Sequence, residues 1–482
     1  NNNNKADSPS PITTTTTTIV LHEREPSPAD RHPAAEQPLA KLIINSTLST
    51  PNAKFGTLDI KDMFLMTRFS SKKDFTCMKL AVKHVPEIII DNYNLTPLTH
   101  NGYVYCEITG GMHGLPHAAR LAWQKLKSLL NRNNYRESTT VPGLWTSTTN
   151  NLAFVLVVDD FGARYTDPKH LKHLESTLNK EYQTTIDLTG SKFLGFNLDW
   201  NYKKGTCVLS MPTYVPNLLK KLQFKQSKEV HSPFPYTPPS YTRIQYASQK
   251  PPSTLPPDKI IYIQKVTGSL LYFAQSLDNL LLAGLNNIAI DISTSDDTTL
   301  SHVEHALNYV AAYPNPKILF KQSNMILKAH SDASYLCAPR ARSRGVGYIF
   351  LGEEFQKNGS IQVLCKLFKV VVSSAAEAEL AALYMTCKQC IPLRQALVEL
   401  GHPQPPTPLI TDNETAANLC NDTLKQKHSK SMDMRFYLVK DRVQQQQFTV
   451  SWKAGKDNLA DYHTKMHPED HTIKMRPTCI HS

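Results

Sequence analysis

Apolar residues occur in short runs along most of the chain, and the runs end at polar or turn-forming residues. The runs FGTLDI (55–60) and NLAFVLVV (151–158) are rich in apolar, aromatic and β-branched residues, which favours strands. The amphipathic pattern of 168–182 and the longer apolar pattern of 374–400 favour helices instead. This alternation predicts an α/β (α+β) fold.

The carboxy-terminal third carries a regular order of such runs. The pattern predicts strands at 325–330, 346–351 and 363–370, then the long helix, and then strands at 408–411 and 448–452. Two other stretches have no such pattern. Residues 1–39 are rich in Asn, Thr, Ser and Pro and are expected to be disordered, and the proline-rich residues 231–258 are expected to be a linker.

Composition narrows the class of protein. The 482 residues carry a formal net charge of +12, which favours polyanionic partners, nucleic acid above all. The nine cysteines are sparse, which favours a reducing compartment. The pair Cys387 and Cys390 lies in an apolar helical run, so we expect a buried helix face rather than a zinc site. No apolar run is long enough to span a membrane, and the first residue, Asn1, indicates a fragment or processed product.

Acidic residues end two of the predicted strands in the amino-terminal half. Asp59 ends the first run, and Asp159 and Asp160 end the second. Carboxylates that converge from neighbouring strands can hold two Mg²⁺ ions for phosphoryl transfer. The alternative is that the Asp pair only begins a hairpin turn, which aspartate favours.

A second acidic set follows the strand order of the carboxy-terminal third. Asp332 and Asp412 end strands, Asp461 begins a short helix after the last strand, and the long helix carries Glu377 and Glu379. Three Asp and one Glu suit a two-Mg²⁺ nuclease. The two glutamates differ by about 200° around a helix, so only one is expected to face the metals, and helical phase does not decide between them. His463, close to Asp461, is expected on the surface; the alternative is that it assists proton transfer at product release.

The amino-terminal motifs resemble the reverse transcriptases of copia-type retrotransposons. The matching segments are LDIKDMFL, ITGGMHGLPHAARLAW, LVVDDFG and Phe193-Leu194-Gly195, the last resembling a primer-grip hairpin. The resemblance implies metal binding and catalysis by Asp59, Asp159 and Asp160. It also implies a nucleotide-binding set in which Phe64 excludes a 2′-hydroxyl and a following segment positions the nucleotide: Gly114, Leu115, Pro116 and His117.

The carboxy-terminal motifs resemble the ribonuclease H domain of the same family. The matching segments are SDASY, SSAAEAELAALY, TDNETAANL and NLADYHTK. The resemblance implies that four residues bind metal and catalyse RNA cleavage: Asp332, Glu379, Asp412 and Asp461. Glu379 is preferred to Glu377 because the register of ELAAL matches the family better.

Some positions depart from the family pattern. Val157 stands where an aromatic residue commonly precedes the Asp pair, and His117 stands where glutamine commonly follows Leu-Pro. The first forty residues lack the Lys- and Arg-bearing finger segment that grips a triphosphate. Three hypotheses therefore stand: a reverse transcriptase with ribonuclease H, ribonuclease H alone, and a decayed element product that binds nucleic acid without catalysis.

The resemblance also implies cofactors, partners and domains. It implies two Mg²⁺ per active site and, as partners, RNA or DNA template–primer, RNA–DNA hybrid, deoxynucleoside triphosphates and other polyprotein products, with no membrane. It implies an intracellular location, in a cytoplasmic particle and in the nucleus. The expected domains are a disordered 1–39, palm and thumb with truncated fingers at 40–230, the linker at 231–258, a helical connection at 259–320, a ribonuclease H-like domain at 321–470 and a tail at 471–482.

Overall fold

A computed structural model describes residues 36–68, 77–112, 115–238, 253, 255–356, 358–421 and 433–481, with the backbone alone at 116–117 and 433–436. The predictions for 1–35 and for most of the linker lie outside these residues. The described chain forms two compact units, a smaller one of Phe64–Lys125 and a larger one within Pro33–Met63 and Leu126–Ser482.

The larger unit combines three sheets with helices, and the predicted mixed α/β class is confirmed. The helices of the described chain are α1 (Gln37–Ser49), α2 (Glu87–Asn92), α3 (Pro116–Arg132), α4 (Pro168–Leu178), α5 (Tyr214–Lys221), α6 (Pro257–Ser276), α7 (Leu282–Asp291), α8 (Asp297–Ala312), α9 (Ala375–Glu399), α10 (Glu414–Cys420), α11 (Asp433–Gln444) and α12 (Glu469–Cys479). The strands are β1 (Lys54–Lys61), β2 (Cys77–Ala81), β3 (Tyr103–Glu107), β4 (Tyr135–Glu137), β5 (Leu144–Ser147), β6 (Ala153–Val157), β7 (Asp160–Tyr165), β8 (Gln183–Asp187), β9 (Lys192–Phe193), β10 (Phe196–Asn201), β11 (Thr206–Ser210), β12 (Lys317–Lys321), β13 (Leu327–Ala338), β14 (Arg342–Leu351), β15 (Ser360–Leu367), β16 (Thr407–Thr411) and β17 (Phe448–Trp452).

The six-stranded sheet contains the first acidic motifs. Its order is β4-β5-β6-β7-β1-β8, and its neighbouring strands are antiparallel. Phe55, Phe154 and Phe161 are fully buried on its strands, so the apolar runs of the sequence form the core of this sheet. The sheet therefore fixes the strand ends that carry the acids.

The four-stranded sheet has the order β12-β11-β10-β9, and it contacts the six-stranded one where the rings of Phe193 and Phe55 meet with centroids 5.7 Å apart. Its β9–β10 hairpin turns through Leu194 and Gly195, whose φ angles of 50° and 79° are those of a tight hairpin turn. Phe193 packs against β7, where a Cβ on Gly162 would lie 2.5 Å from the Phe193 ring. Only glycine at position 162 admits that ring, so the hairpin and the sheet are fitted together.

The five-stranded sheet has the order β15-β14-β13-β16-β17. Strands β13, β14 and β15 pair antiparallel, whereas β16 pairs parallel with both β13 and β17. Helix α9 packs on β13 and β14. All five strands and the long helix predicted in the carboxy-terminal third are present. Strand β13 continues to Ala338 through its pairing with β14, so the expectation that Asp332 ends this strand is wrong.

Helix α1 is buried among all three sheets. Eleven of its residues, from Pro38 to Leu48, are buried, and it contacts strands of each sheet as well as α9. Its polar side chains find partners far along the chain. Ser46 Oγ lies 2.8 Å from His402 Nε2, and Asn45 Oδ1 accepts a hydrogen bond from Asn358. One core therefore joins the six-stranded and five-stranded sheets.

Helix α12 covers most of the segment expected to be a tail. Cys479 and Ile480, at its end, are buried. Arg476 is 6% exposed; its Nη1 lies 3.3 Å from Asp278 Oδ2 and donates to the hydroxyl of Tyr309. The guanidinium also lies 3.9 Å from the ring centroid of Tyr313. These contacts join the chain end to α6–α8, while the assignment of domain boundaries stays a prediction.

The smaller unit contains the two-stranded sheet of β2 and β3 and helix α2. The turn after β1 pairs with the glycines before α3, because Gly111 N–H donates to Thr67 O at 2.7 Å. A Cβ on Gly111 would lie 2.1 Å from Phe64 O, so this approach requires glycine.

The cysteine pair of α9 and the apolarity of the helices bear on two expectations from composition. Cys387 and Cys390 are buried in α9 and carry free thiols, so the predicted helix face is confirmed. Within the described ranges, no helix has both the length and the apolarity needed to cross a bilayer.

The buried Arg476 contact yields a stability prediction. Arg476→Ala should lower the free energy of unfolding by about 3–5 kcal/mol, because it leaves Asp278 buried without a compensating charge. Urea unfolding followed by circular dichroism measures the change. Lys474→Ala, at an exposed position of the same helix, is the control and should change it by less than about 0.5 kcal/mol. Equal effects of the two substitutions would contradict the prediction.

Candidate active sites

The structure brings Asp59, Asp159 and Asp160 together at one end of the six-stranded sheet. Asp59 and Asp160 are direct cross-strand partners in the β1–β7 pair, so their side chains leave the same face. Asp159 lies in the hairpin turn before β7, and its carbonyl accepts a 3.2 Å hydrogen bond from Ile60 N–H. Leu58 and Ile60 are buried on the opposite face, which leaves Asp59 on the exposed one.

Charge and burial act together on these carboxyls. Partial burial and the charge of Asp159 raise the pKa of Asp59. Burial, followed by the charges of Asp159 and Asp59, raises the pKa of Asp160 to about 6. The charged forms of Asp59 and Asp160 are therefore destabilised, and a cation placed among the three side chains would relieve the repulsion.

The β6–β7 turn holds Asp159 by a strained backbone. Val157 and Asp160 are register partners, so the turn consists of Val158 and Asp159 alone. Val158 has φ 62°, a left-handed conformation that a β-branched residue rarely adopts. The Asp pair thus does begin a hairpin turn, and in the same place it meets Asp59.

The residues expected to position a nucleotide are described only in part. Phe64 is half-buried in the smaller unit, beside the Gly110–Gly111 segment of the glycine-rich motif. Leu115 is half-buried, and its N–H donates to Met112 O. Gly114 and the side chains of Pro116 and His117 lie outside the described residues, so the nucleotide-binding role of this set stays a prediction.

The second acidic set converges between the middle of β13, which carries Asp332, and the end of β16. One carboxylate oxygen from each of Asp332, Asp412 and Asp461 lies within 4.8 Å of the others. Among the described residues, this is the one group in which three acidic, His or Cys ligand atoms come so close. Glu379 joins this group from α9, close enough to feel the charges of Asp332 and Asp412, and its Oε1 accepts a 3.1 Å hydrogen bond from the N–H of Ala333.

Burial makes the charged form of this cluster costly. Burial and the charge of Asp412 raise the pKa of Asp332 to about 7, although the Thr464 hydroxyl, 2.8 Å from Asp332 Oδ2, opposes the shift. Burial and the charges of Asp332 and Asp412 raise the pKa of Glu379 to about 9. Burial and the charge of Asp461 raise the pKa of Asp412.

The two glutamates of α9 have different surroundings. Glu379 is 6% exposed and lies with the aspartates. Glu377 is half-buried at the start of the helix, where its Oε2 accepts two 2.6 Å hydrogen bonds, from the backbone and the hydroxyl of Ser373. Helical phase did not decide which of the two glutamates faces the aspartates. The packing of α9 against the sheet places Glu379 at the cluster.

Several supporting residues were not identified from the sequence. His330, fully buried, accepts a 2.9 Å hydrogen bond at Nδ1 from Leu459 N–H, so its Nε2 is the protonated nitrogen that faces Glu354 at 3.2 Å. Asn458 Nδ2 donates to Ser331 O at 2.9 Å. These contacts tie the segment before Asp461 to β13, which carries Asp332.

Trp452 supports the cluster from β17. Its indole Nε1 donates a 2.9 Å hydrogen bond to Asp412 O. Its side chain is otherwise about half exposed. The only sequence signal for these supports was their closeness to acidic motifs, which does not identify a hydrogen-bond partner.

The expectation that His463 lies on the surface is wrong. His463 is fully buried, and its ring stacks on Tyr348 with centroids 5.9 Å apart. Burial lowers its pKa to about 3, so the ring is neutral. The short helix after Asp461 turns this side chain into the core, which the adjacent polar residues did not indicate.

The donor atoms of the second cluster fit a hard divalent cation. All four side chains offer carboxylate oxygens, the ligands that Mg²⁺ prefers. One nearby cation, Lys465, already lies 2.8 Å from Asp461 Oδ1. Burial alone would lower the pKa of Lys465, but its hydrogen bond to Asp461 and the surrounding carboxylates raise it overall. The carboxylates of the first cluster offer the same type of donor.

Comparison with known proteins supports the family resemblance. No protein-family model matches the chain. The retrovirus-related Pol polyprotein from transposon TNT 1-94 of Nicotiana tabacum is 23% identical over 375 residues, which cover 76% of this chain and 27% of that protein. The chain thus spans about a quarter of the length of this relative. The predicted resemblance to a copia-type Pol polyprotein is confirmed by this similarity.

Solved structures give weaker similarities. The foamy viral protease–reverse transcriptase in complex with RNA/DNA hybrid has a TM-score of 0.44 and 14% identity, over 85% of this chain and 45% of that one. LC11-RNase H1 in complex with RNA/DNA hybrid has a TM-score of 0.23 and 13% identity, over 28% of this chain and 91% of that one.

The raised pKa values predict a pH-dependent stability of the metal-free protein. Asp332 and Glu379 bind protons more tightly when folded, with pKa values of about 7 and about 9 against ordinary values of 3.8 and 4.5. Their contribution is therefore fully present below about pH 4 and is lost as the pH rises through about 7 and then about 9.

Urea unfolding in EDTA at about pH 5 and about pH 8 measures this loss. At about pH 8, Glu379→Gln should raise the free energy of unfolding by at least about 1 kcal/mol. Mg²⁺ should stabilise the unsubstituted protein more than the variant. Glu377→Gln is the control and should keep the pH slope; a slope unchanged by Glu379→Gln would show that the cluster is not strained.

The turn at Val158 yields a second stability prediction. Val158→Gly should raise the free energy of unfolding by about 1 kcal/mol, because glycine adopts a positive φ without the strain of a Cβ. Val158→Ala retains the Cβ and should give no such gain. Thermal unfolding of the two variants compares them directly, and an equal change in both would argue against strain.

Proposed function

We propose that this chain is an RNA-directed DNA polymerase with an associated ribonuclease H, each reaction having its own carboxylate cluster. The main support is that acids far apart in the sequence lie close together at two places. Asp59 lies beside Asp159 and Asp160, and Asp332 lies beside Glu379, Asp412 and Asp461. The similarity to a retrotransposon Pol polyprotein supports the assignment of these places to nucleic-acid chemistry.

In the polymerase reaction, Asp59 and Asp160 would hold Mg²⁺ from adjacent strands, and Asp159 would join them from the turn. Bound Mg²⁺ would activate the primer 3′-hydroxyl and stabilise the leaving pyrophosphate. The rigid cross-strand pairing keeps the carboxylates in place while primer and nucleotide exchange. The deoxynucleoside triphosphates, the Phe64 role and the template are assigned by family resemblance.

In the nuclease reaction, four carboxylates would hold Mg²⁺ against the scissile phosphodiester of the RNA strand. Thr464 orients Asp332, and the N–H of Ala333 orients Glu379. The Lys465 ammonium, already at Asp461, adds positive charge at the edge where the phosphate would lie. Hybrid binding, other polyprotein products as partners, and the intracellular location belong to the same proposal.

Ribonuclease H activity alone is the second candidate. One observation favours it: Asp332, Asp412 and Asp461 already lie within the spacing of a shared ion, whereas the polymerase assignment also depends on nucleotide-positioning residues outside the described ranges.

Two matched substitutions test the assignment of separate sites. Asp160→Asn should lower primer extension on an RNA template by on the order of 10³-fold or more and leave hybrid cleavage unchanged. Asp332→Asn should do the reverse. The assays are extension of a labelled primer and cleavage of a labelled RNA–DNA hybrid, both with Mg²⁺.

The outcomes separate the three hypotheses. Cleavage that depends on Asp332, without any extension by the unsubstituted protein, would leave the nuclease alone. Nucleic-acid binding without either reaction would indicate the decayed product and end the proposal. Loss of both activities in each variant would show that the clusters do not act separately.

A further inference from the structure

The two-stranded sheet of the smaller unit presents an aromatic face to solvent. Along β3, Tyr103 and Tyr105 are 37% and 64% exposed, whereas Val104 between them is 2% exposed. The register places Lys79 of β2 opposite Tyr105 and Ala81 opposite Tyr103. Because side chains alternate across a sheet, these four residues share one outward face.

This face combines stacking surfaces with a positive charge. Lys79 Nζ lies 4.2 Å from the centroid of the Tyr103 ring, a cation–π distance. Beyond Tyr103, the chain from β2 continues into the exposed Lys83 and His84. At the opposite end of the face, Glu107 lies opposite Cys77. The positive charge therefore extends from Lys79 toward Lys83, away from Glu107.

The spacing of the tyrosines selects among nucleic-acid forms. Residues i and i+2 of a strand lie about 6.8 Å apart, about twice the 3.4 Å rise between stacked bases of one duplex strand. Neighbouring bases can lie on both rings only if they are unstacked from each other. A duplex cannot present its bases in this way, whereas an unpaired strand can.

We propose that the face formed by Lys79, Ala81, Tyr103 and Tyr105 binds single-stranded nucleic acid. Bases stack on the two tyrosine rings, and the backbone phosphates lie toward Lys79 and Lys83. This deepens the proposed function and rests on it for the source of the strand, an unpaired template, but the binding itself requires neither carboxylate cluster and no metal. A protein partner is the competing occupant of an exposed aromatic face, but the lysine among the rings favours a polyanion.

The test uses the full chain in EDTA, which keeps both carboxylate clusters out of the measurement. Fluorescence anisotropy measures binding of a labelled single strand of about 12 nucleotides, as RNA and as DNA, and of a duplex of equal length. The double variant Tyr103→Ala/Tyr105→Ala should weaken single-strand binding at least about tenfold and leave duplex binding unchanged. Lys79→Ala should reduce the slope of log binding constant against log salt concentration by about one, the value for one lost phosphate contact.

Three controls distinguish stacking from loss of structure. Tyr103→Phe/Tyr105→Phe keeps both rings and should bind as the unsubstituted protein does. Tyr93→Ala removes a tyrosine that is 70% exposed at the C-cap of α2, outside the face, and should bind normally. Circular dichroism should show the same thermal unfolding for all variants, since every substituted side chain is exposed.

Two results would overturn the proposal. In one, the double alanine variant binds single strands as tightly as the unsubstituted protein. In the other, it loses single-strand and duplex binding equally, which would indicate a general charge effect. If nucleic-acid binding persists and the variant instead loses self-association in sedimentation, the face is a protein contact.

Discussion

Repulsion between carboxylates of like charge is the constraint that organises the larger unit. At the second cluster, burial and mutual charge raise the pKa values of Asp332 and Glu379 far above those of free carboxyls. A flexible scaffold would relieve this repulsion by moving the side chains apart. The structure resists such movement with fixed donors, the Thr464 hydroxyl and the N–H of Ala333, and these donors also bias the oxygens toward a shared point. The hydrogen bonds that hold the carboxylates together against their repulsion are therefore the same ones that arrange their oxygens for a cation.

The two clusters meet this constraint by different means. Asp59 and Asp160 are held by direct register in one strand pair, so their closeness follows from a local antiparallel ladder. The second cluster draws on β13, α9, the end of β16 and a short helix, and needs long-range ties such as His330 to Leu459 and Asn458 to Ser331. A local pair tolerates change elsewhere in the chain. A cluster assembled from four elements depends on the packing of the whole five-stranded sheet.

The sequence predicted what depends on short-range patterns. Apolar runs located the strands, and acids at the ends of those runs located both clusters. It did not predict what depends on contacts between distant segments. Helical phase does not decide which of Glu377 and Glu379 faces the aspartates, because that depends on what packs beside each. His463 is buried because its short helix turns inward onto Tyr348. The selection of candidate nucleotide-positioning residues depended on the family resemblance, because no periodicity or charge pattern singles out Leu115 or Phe64.

Helix α1 shows why domain boundaries are harder to read than strands. Its sequence contains Lys41, Asn45 and Ser46, which would ordinarily mark an exposed face, yet all three are buried. Burial lowers the pKa of Lys41 to about 7, and its ammonium has a carbonyl partner, Gln275 O, at 3.3 Å. The helix is thus stabilised by partners far along the chain, such as Gln275, Asn358 and His402, rather than by its own amphipathicity. Because it contacts both the six-stranded sheet and α9, cutting the chain between the two clusters would expose apolar surface on each piece. The two carboxylate clusters therefore lie on one shared hydrophobic core, and the natural unit of folding is larger than the surroundings of either cluster.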